Sequence, residues 1–295
     1  MEWLSKFPNL SDDTLRVVKQ TIDESFRAFT RAYGEGIEAF FNPLKQFLIA
    51  SEQVMISTPW PLVLLAVGLI AWFASRNWKI VAGTIATLLI IGLFDMWDDT
   101  MRTISMIFVC TLLSILIGVP IGIAMSRSNR LQSIINPVLD VMQTMPSFVY
   151  LIPVVMLLGI GKVPGLIAVV IYALPPMIRL TNLGIRLVDH EVIEAADAFG
   201  SSPWQRLKNV QIPLALPTIM AGINQTIMMA LSMVVIASMI GVAGLGQPVL
   251  RAINNQYFAL GVFNGLAIVG IAIIFDRVSQ AFGRRLQKHR EVVHG

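Results

Sequence analysis

Seven stretches of this chain are too apolar to face water and long enough to cross a bilayer as helices. They run Trp60–Ser75, Trp78–Phe94, Thr103–Met125, Pro137–Ile160, Val163–Ile178, Pro217–Val242 and Phe258–Phe275. A spanning helix needs about 20 mostly apolar residues, with some latitude. The first two stretches are short and separated by little more than Arg76 and Asn77, which reads as a tight hairpin of two spans rather than one span plus an interfacial piece. The expectation is an all-α, polytopic membrane protein with about seven transmembrane helices. Composition agrees: 55% of residues are hydrophobic and 14% charged, where soluble domains carry roughly 25% charge. Disordered, collagen-like and disulfide-scaffold classes are excluded. The single cysteine, Cys110, lies in an apolar run, so it forms no intrachain disulfide and anchors no Cys-based metal cluster.

Basic residues orient the spans. With the C-terminus in the cytoplasm, 13 Lys and Arg fall on cytoplasmic segments and 3 (Arg102, Lys162 and Arg251) on the opposite side. Short cytoplasmic loops accumulate Lys and Arg. Seven spans then put the N-terminus outside. The same bias explains a pI of about 9.4 without nucleic acid, for which no basic run interleaved with aromatics is present.

No signal peptide is visible. The first 59 residues instead read as an amphipathic segment. Ser11-Asp12-Asp13 begins a helix, and Leu15, Val18, Ile22, Phe26, Phe29 and Tyr33 recur at steps of three and four. After Gly34 and Gly36 a second stripe runs through Ile37, Phe40, Phe41, Leu44, Phe47 and Leu48. Such helices lie in the bilayer interface or pack on a neighbour. The chain therefore divides into the amphipathic segment 1–59, a transmembrane hairpin 60–98, a main membrane domain 99–280 and a basic cytoplasmic tail 281–295.

Between Arg179 and Leu216 the apolar pattern breaks, on the predicted cytoplasmic side. Glu191 to Phe199 is rich in helix formers. Gly200 is a natural stop because it tolerates the left-handed conformation. Ser202-Pro203-Trp204-Gln205 restarts a helix, with Ser202 as N-cap, Pro203 at the first position and Gln205 closing a capping box. Pro213 is expected to end it. A short helix, a sharp bend and a second short helix result, with Ala195, Ala196, Phe199 and Trp204 offering an apolar side that fits a groove on a partner or folds back on the bundle.

Glu194-Ala195-Ala196, Gly200 after three residues, and Val210-Gln211-Ile212-Pro213 after nine more resemble the EAA loop of ABC-importer permeases. Val210 and Ile212 differ from the usual Ile and Leu by apolar swaps. The stretches Asp140–Pro153 and Leu231–Gln247 resemble the glycine betaine/proline branch of that family, and the likeness extends from about residue 60 to 283. The resemblance implies a type I ABC importer permease fold over the main domain and a bacterial inner-membrane protein acting as a homodimer. It also implies a separate ATPase subunit and a periplasmic or extracellular substrate-binding protein. The cargo would be glycine betaine or a related solute such as proline betaine or choline. Glu194, Ala195, Ala196, Gly200, Val210, Ile212 and Pro213 would form the coupling loop to the ATPase. ATP and magnesium would be held by that partner and no cofactor by this chain. An amino-acid importer, for histidine or proline, and an ion-coupled carrier are the alternatives.

The chain's own motifs fit that division of labour. Gly159-Ile-Gly161-Lys162 has the wrong spacing for a P-loop and lacks the following Ser/Thr. No catalytic or metal-binding constellation appears; His190, His289 and His294 do not cluster. Gln143, Pro146, Phe148 and Tyr150 in one span, Tyr172 in the next, and Asn224, Gln225 and Ser232 later are candidates to line a solute path. The aromatics among them suit a quaternary ammonium, though helix packing accounts for the same residues. Asp140 is placed near a helix N-terminus after Pro137, and Asp276 near the membrane surface.

Overall fold

Helices account for nearly all of the computed structural model, which describes residues 9–291, with side chains through Arg285; no strand occurs among the described residues. His294 and the side chains of residues 286–291, that of His289 among them, lie outside that description. The first helix, α1 (Asp12–Ser57), is capped as expected, Ser11 Oγ accepting from the Thr14 N–H at 3.3 Å. It continues unbroken for 46 residues, past Gly34 and Gly36 and through Pro43. Its last third joins the bundle. Leu48 is buried, Ser51 shares a 3.0 Å hydrogen bond with Ser105, and Glu52 accepts from Lys162 Nζ at 2.6 Å with Arg102 Nε 3.5 Å away.

A turn of 110° at Thr58-Pro59 leads into α2 (Trp60–Ser75), and α3 (Trp78–Leu93) runs back from Arg76-Asn77. At 1.5 Å per residue these 16-residue helices are each about 24 Å long, short of a hydrocarbon core of about 30 Å. Four other helical runs are long and apolar enough to cross: α4 (Trp97–Arg127), α7 (Lys162–Arg186), the continuous stretch Pro203–Ile240 and the helix that begins at Phe258. Counting each sharply bent pair as one span raises the number to six. The short apolar α3 stands outside that count, so by length and composition four long runs, two bent pairs and α3 make up the expected seven.

The candidate Pro137–Ile160 is the clearest departure. It is two helices, α5 (Asn129–Thr144) and α6 (Ser147–Leu158), bent by 98°. The cause is local. Pro146 pushes the preceding residue out of the helical region, and Met145 sits at φ −69°, ψ 130°. Because α5 begins at Asn129, Asp140 is mid-helix and not beside a helix N-terminus; it pairs instead with Arg179 of α7.

The core lies where α4, α7 and α10 (Ile212–Ala237) meet, with α12 (Phe258–Glu291) packed on α10. Small residues allow the backbones to approach. A Cβ on Gly122 of α4 would lie 2.6 Å from Thr181 Cβ and 2.8 Å from the Ile178 carbonyl of α7. Ile107, Val109, Cys110, Val169, Ala173, Met233 and Val234 fill the centre. After α10 the chain tightens through a 3₁₀ turn and continues as the short α11 (Gly246–Asn255), fastened by the Leu245 N–H donating to Thr103 Oγ1 at 3.0 Å. Leu65, Ile70, Phe108, Leu116, Leu266 and Ile273 remain exposed on the outer faces, the surface that a bilayer covers.

Candidate functional site

The elbow between α7 and α10 follows its local chemistry. Asp189 caps α8 (His190–Ala198) by accepting from the Glu191 N–H at 3.0 Å. The helix ends at Gly200, whose φ of +80° is left-handed and whose N–H donates to the Asp197 carbonyl. The capping box at α9 (Pro203–Arg206) is complete: Ser202 Oγ accepts from the Gln205 N–H at 3.3 Å, and Gln205 Oε1 accepts from the Ser202 N–H at 2.8 Å. Pro203 occupies the first helical position.

Pro213 does not end this second helix, contrary to expectation. A π-helical turn at Leu207–Gln211 carries α9 straight into α10, where Pro213 is the second residue. Pro213 has no N–H to donate to a preceding carbonyl, and the π-helical turn directly before it is where the continuous run departs from the regular ladder. Of the predicted coupling residues, Glu194, Ala195, Ala196 and Gly200 therefore stand on the free limb, Val210 in the π-helical turn at its root, and Ile212 and Pro213 at the start of α10.

Three contacts stiffen the bend, none of them legible from local sequence. Arg206 Nη1 donates to Asp197 Oδ2 at 2.6 Å, tying α9 to α8. Arg127, the last residue of α4, donates to the Pro203 carbonyl at 3.1 Å. Leu207 is buried with Met177, Ile185, Ala215 and Ile219, which anchors the elbow between α7 and α10. Nearby, Arg186 donates to Asn182, Asn129 and the Met125 carbonyl, so the end of α7 is bound to the α4–α5 corner.

The free surface of the elbow is aromatic. Phe199 is 92% exposed and Trp204 65%, beside exposed Val192 and Ala195. Leaving two large rings in water is costly by the ordinary measure of about 25 cal/mol per Å² of apolar area. A rigid, capped knob with exposed aromatics has the form of a docking element. Glu194 and His190 on the same helix pair at 3.0 Å and are exposed.

The solute-path candidates separate into groups. On α10 and the 3₁₀ turn that follows it, Ala221, Gln225, Ser232 and Met239 are exposed along one helical stripe, so Gln225 and Ser232 share a face left uncovered among the described residues. Asn224 points elsewhere: its Nδ2 donates to Asp276 Oδ1 at 3.1 Å and its Oδ1 accepts from Ser279, joining α10 to α12. Gln280 Nε2 also donates to Asp276, at 2.6 Å. At the α5–α6 bend, Gln143, Pro146 and Phe148 are exposed. Tyr150 is buried; its ring meets Tyr172 edge to face at 5.8 Å and its hydroxyl donates to the Met142 carbonyl. That pair braces the bend against α7. Among the described residues, no group of three or more His, Cys, Asp or Glu side chains could hold a metal.

Residues 111–288 match the family described as binding-protein-dependent transport system inner membrane component. The glycine betaine/proline betaine transport system permease protein ProW of Escherichia coli (strain K12) is 50% identical over 242 residues, covering 82% of this chain and 68% of that protein. The glycine betaine/carnitine transport permease protein GbuB of Listeria monocytogenes is 51% identical over 255 residues, covering 84% and 90%. The glycine betaine transport system permease protein OpuAB of Bacillus subtilis is 42% identical, covering 95% and 96%. Among solved structures, a chain of the MetNI methionine ABC transporter in an inward-facing conformation superposes with a TM-score of 0.58 at 19% identity, covering 63% of this chain and 93% of that one. That likeness shows a shared fold.

Proposed function

This chain belongs to the binding-protein-dependent transport system inner membrane components, and from that premise we propose that it moves glycine betaine or a related quaternary-ammonium solute across the inner membrane. It does so as the permease of an ATP-driven importer. The observation that carries the reading is the elbow: a capped, braced knob with Phe199 and Trp204 bare, rooted through Leu207 in the two central helices. A partner ATPase gripping that knob would move α7 and α10 directly, since the root is buried between them. ATP and magnesium reside on that ATPase; this chain positions, transmits and opens.

Two copies, one elbow on each of two ATPases, make the working unit. The uncovered stripe of Gln225 and Ser232 on α10 supports this arrangement, because facing stripes from two copies would enclose a polar path. The elbow lies in the cytoplasm with the C-terminus, the N-terminus outside, and a substrate-binding protein delivers solute to the external face. Gln143, Pro146 and Phe148 at the α5–α6 bend are the second candidate wall. Tyr150 and Tyr172 support that wall from behind.

The test is copurification followed by uptake. Phe199→Ala with Trp204→Ala should abolish copurification of the ATPase while leaving the permease's melting temperature within about 2 °C, because both rings are exposed. An ATPase that still copurifies would refute the docking role. In vesicles holding the whole assembly, glycine betaine should outcompete histidine and proline for uptake. The reverse order would reassign the cargo.

A further inference from the structure

We propose that Arg76, Lys79 and Arg285 form a headgroup site for an anionic phospholipid where the α2–α3 turn meets the end of α12. Arg76 and Arg285, from distant parts of the chain, meet at Phe73, and Lys79 follows one turn after Arg76. Arg285 Nη1 donates to the Phe73 carbonyl, one of the orphaned acceptors at the end of α2. The Arg76 guanidinium stands 5.6 Å from the centre of the Phe73 ring and 6.0 Å from that of Trp72. Lys79 lies in the first turn of α3, where Asn77 caps the helix. Arg76 itself takes a left-handed φ of 48°, closing the tight turn that brings α3 beside α2.

The charges are unsatisfied. Among the described residues no carboxylate lies within 4 Å of a nitrogen of Arg76, Lys79, Arg284 or Arg285, while Arg102, Lys162, Arg179 and Arg206 all have acidic partners. Arg285 commits one N–H to Phe73 and keeps the others of its fork free. The patch therefore asks for an anion. Its depth selects which one: Trp72, Phe73 and Trp78 are all exposed around it, at the ends of apolar helices. Tryptophan rings in such positions mark the boundary between headgroups and acyl chains. A phospholipid phosphate arrives at that depth with acyl chains that cover the rings. Basic clefts between membrane helices hold anionic headgroups in this way. The side of the membrane on which this corner sits rests on the topology proposed above; the site does not.

The complete permease–ATPase assembly is stripped of lipid in detergent. It is then titrated with phosphatidylglycerol and with phosphatidylcholine of matched acyl chains, and bound lipid is read by native mass spectrometry. Phosphatidylglycerol should bind in preference. Arg76→Gln with Arg285→Gln should weaken it roughly 30-fold, the worth of two juxtamembrane charges, whereas Arg76→Lys with Arg285→Lys and Arg130→Gln should retain it. If the double Gln variant fails to assemble, Lys79→Gln, which leaves the Phe73 contact intact, should still cost about fivefold. Equal binding of the two lipids, or undiminished phosphatidylglycerol binding in the Gln variants, overturns the site. Glycine betaine uptake by the same preparations is scored separately, so loss of the lipid preference with uptake intact indicts this site alone. Absence of ATP-driven betaine uptake in every lipid indicts the transport reading alone.

Discussion

Replacing Gly200 by Val isolates the stiffness of the elbow from its contacts. The residue sits at φ +80°, and a Cβ built there meets nothing within 4 Å. No steric clash with the rest of the molecule enters, and no buried surface is lost. The whole penalty is conformational: an L-residue in the left-handed region costs about 1–2 kcal/mol, with a β-branched side chain at the upper end. Since 1.4 kcal/mol is a factor of ten, the bent conformation should lose about 5- to 30-fold in occupancy relative to alternatives. The measurement is betaine-stimulated ATP hydrolysis and uptake by the reconstituted assembly, alongside thermal melting of the permease. Uptake should fall by about that factor while melting stays nearly unchanged. Gly200→Asn should retain most activity, because asparagine tolerates the left-handed region. Wild-type uptake with Val would show that the bend carries no force, and equal losses with Asn and Val would show that something other than backbone conformation is at stake.

Breaking the capping box with Ser202→Ala should cost about 1 kcal/mol locally, seen as faster amide hydrogen exchange over α9 with no change in the bundle. Gly122→Ala should lower the melting temperature by several degrees, because its Cβ would lie 2.8 Å from the Ile178 carbonyl and overpacking costs about 1–3 kcal/mol. Glu52→Gln leaves Lys162 and Arg102 without their shared acid. It should cost about 1–2 kcal/mol, between the values for exposed and buried pairs, and this loss should shrink as salt is raised in a melting series.

The helices were largely legible because membrane segments announce themselves by apolar length, and because caps are short-range chemistry. Ser11, Ser202 and Gly200 all act within three or four residues of themselves. Where the reading went astray, a single proline was weighed without its position in the turn. Pro146 breaks a helix through its steric effect on Met145, whereas Pro213 sits within a continuous helical run, directly after the π-helical turn. Partnerships across long separations left no local trace. Asp140 with Arg179 spans 39 residues, Glu52 with Lys162 spans 110, and Asn224 with Asp276 spans 52. Each joins side chains whose neighbours in sequence say nothing about the encounter. The same blindness placed Asn224 with Gln225 as path-lining neighbours, although consecutive residues on a helix diverge by about 100° and only Gln225 is bare.

The π-helical turn at Leu207–Gln211 fixes the phase between the knob and the membrane helix. Such a turn accommodates one residue more than an α-helix would. Excising a single residue there would let the ladder revert to regular winding and leave the aim of the aromatic tip nearly unchanged, whereas excising one from the regular helix beyond it would swing the tip about 100° around the axis of α10. This short stretch is therefore a buffer for chain length: a one-residue deletion within it is absorbed, while the same deletion one turn further along α10 would aim the tip at empty space.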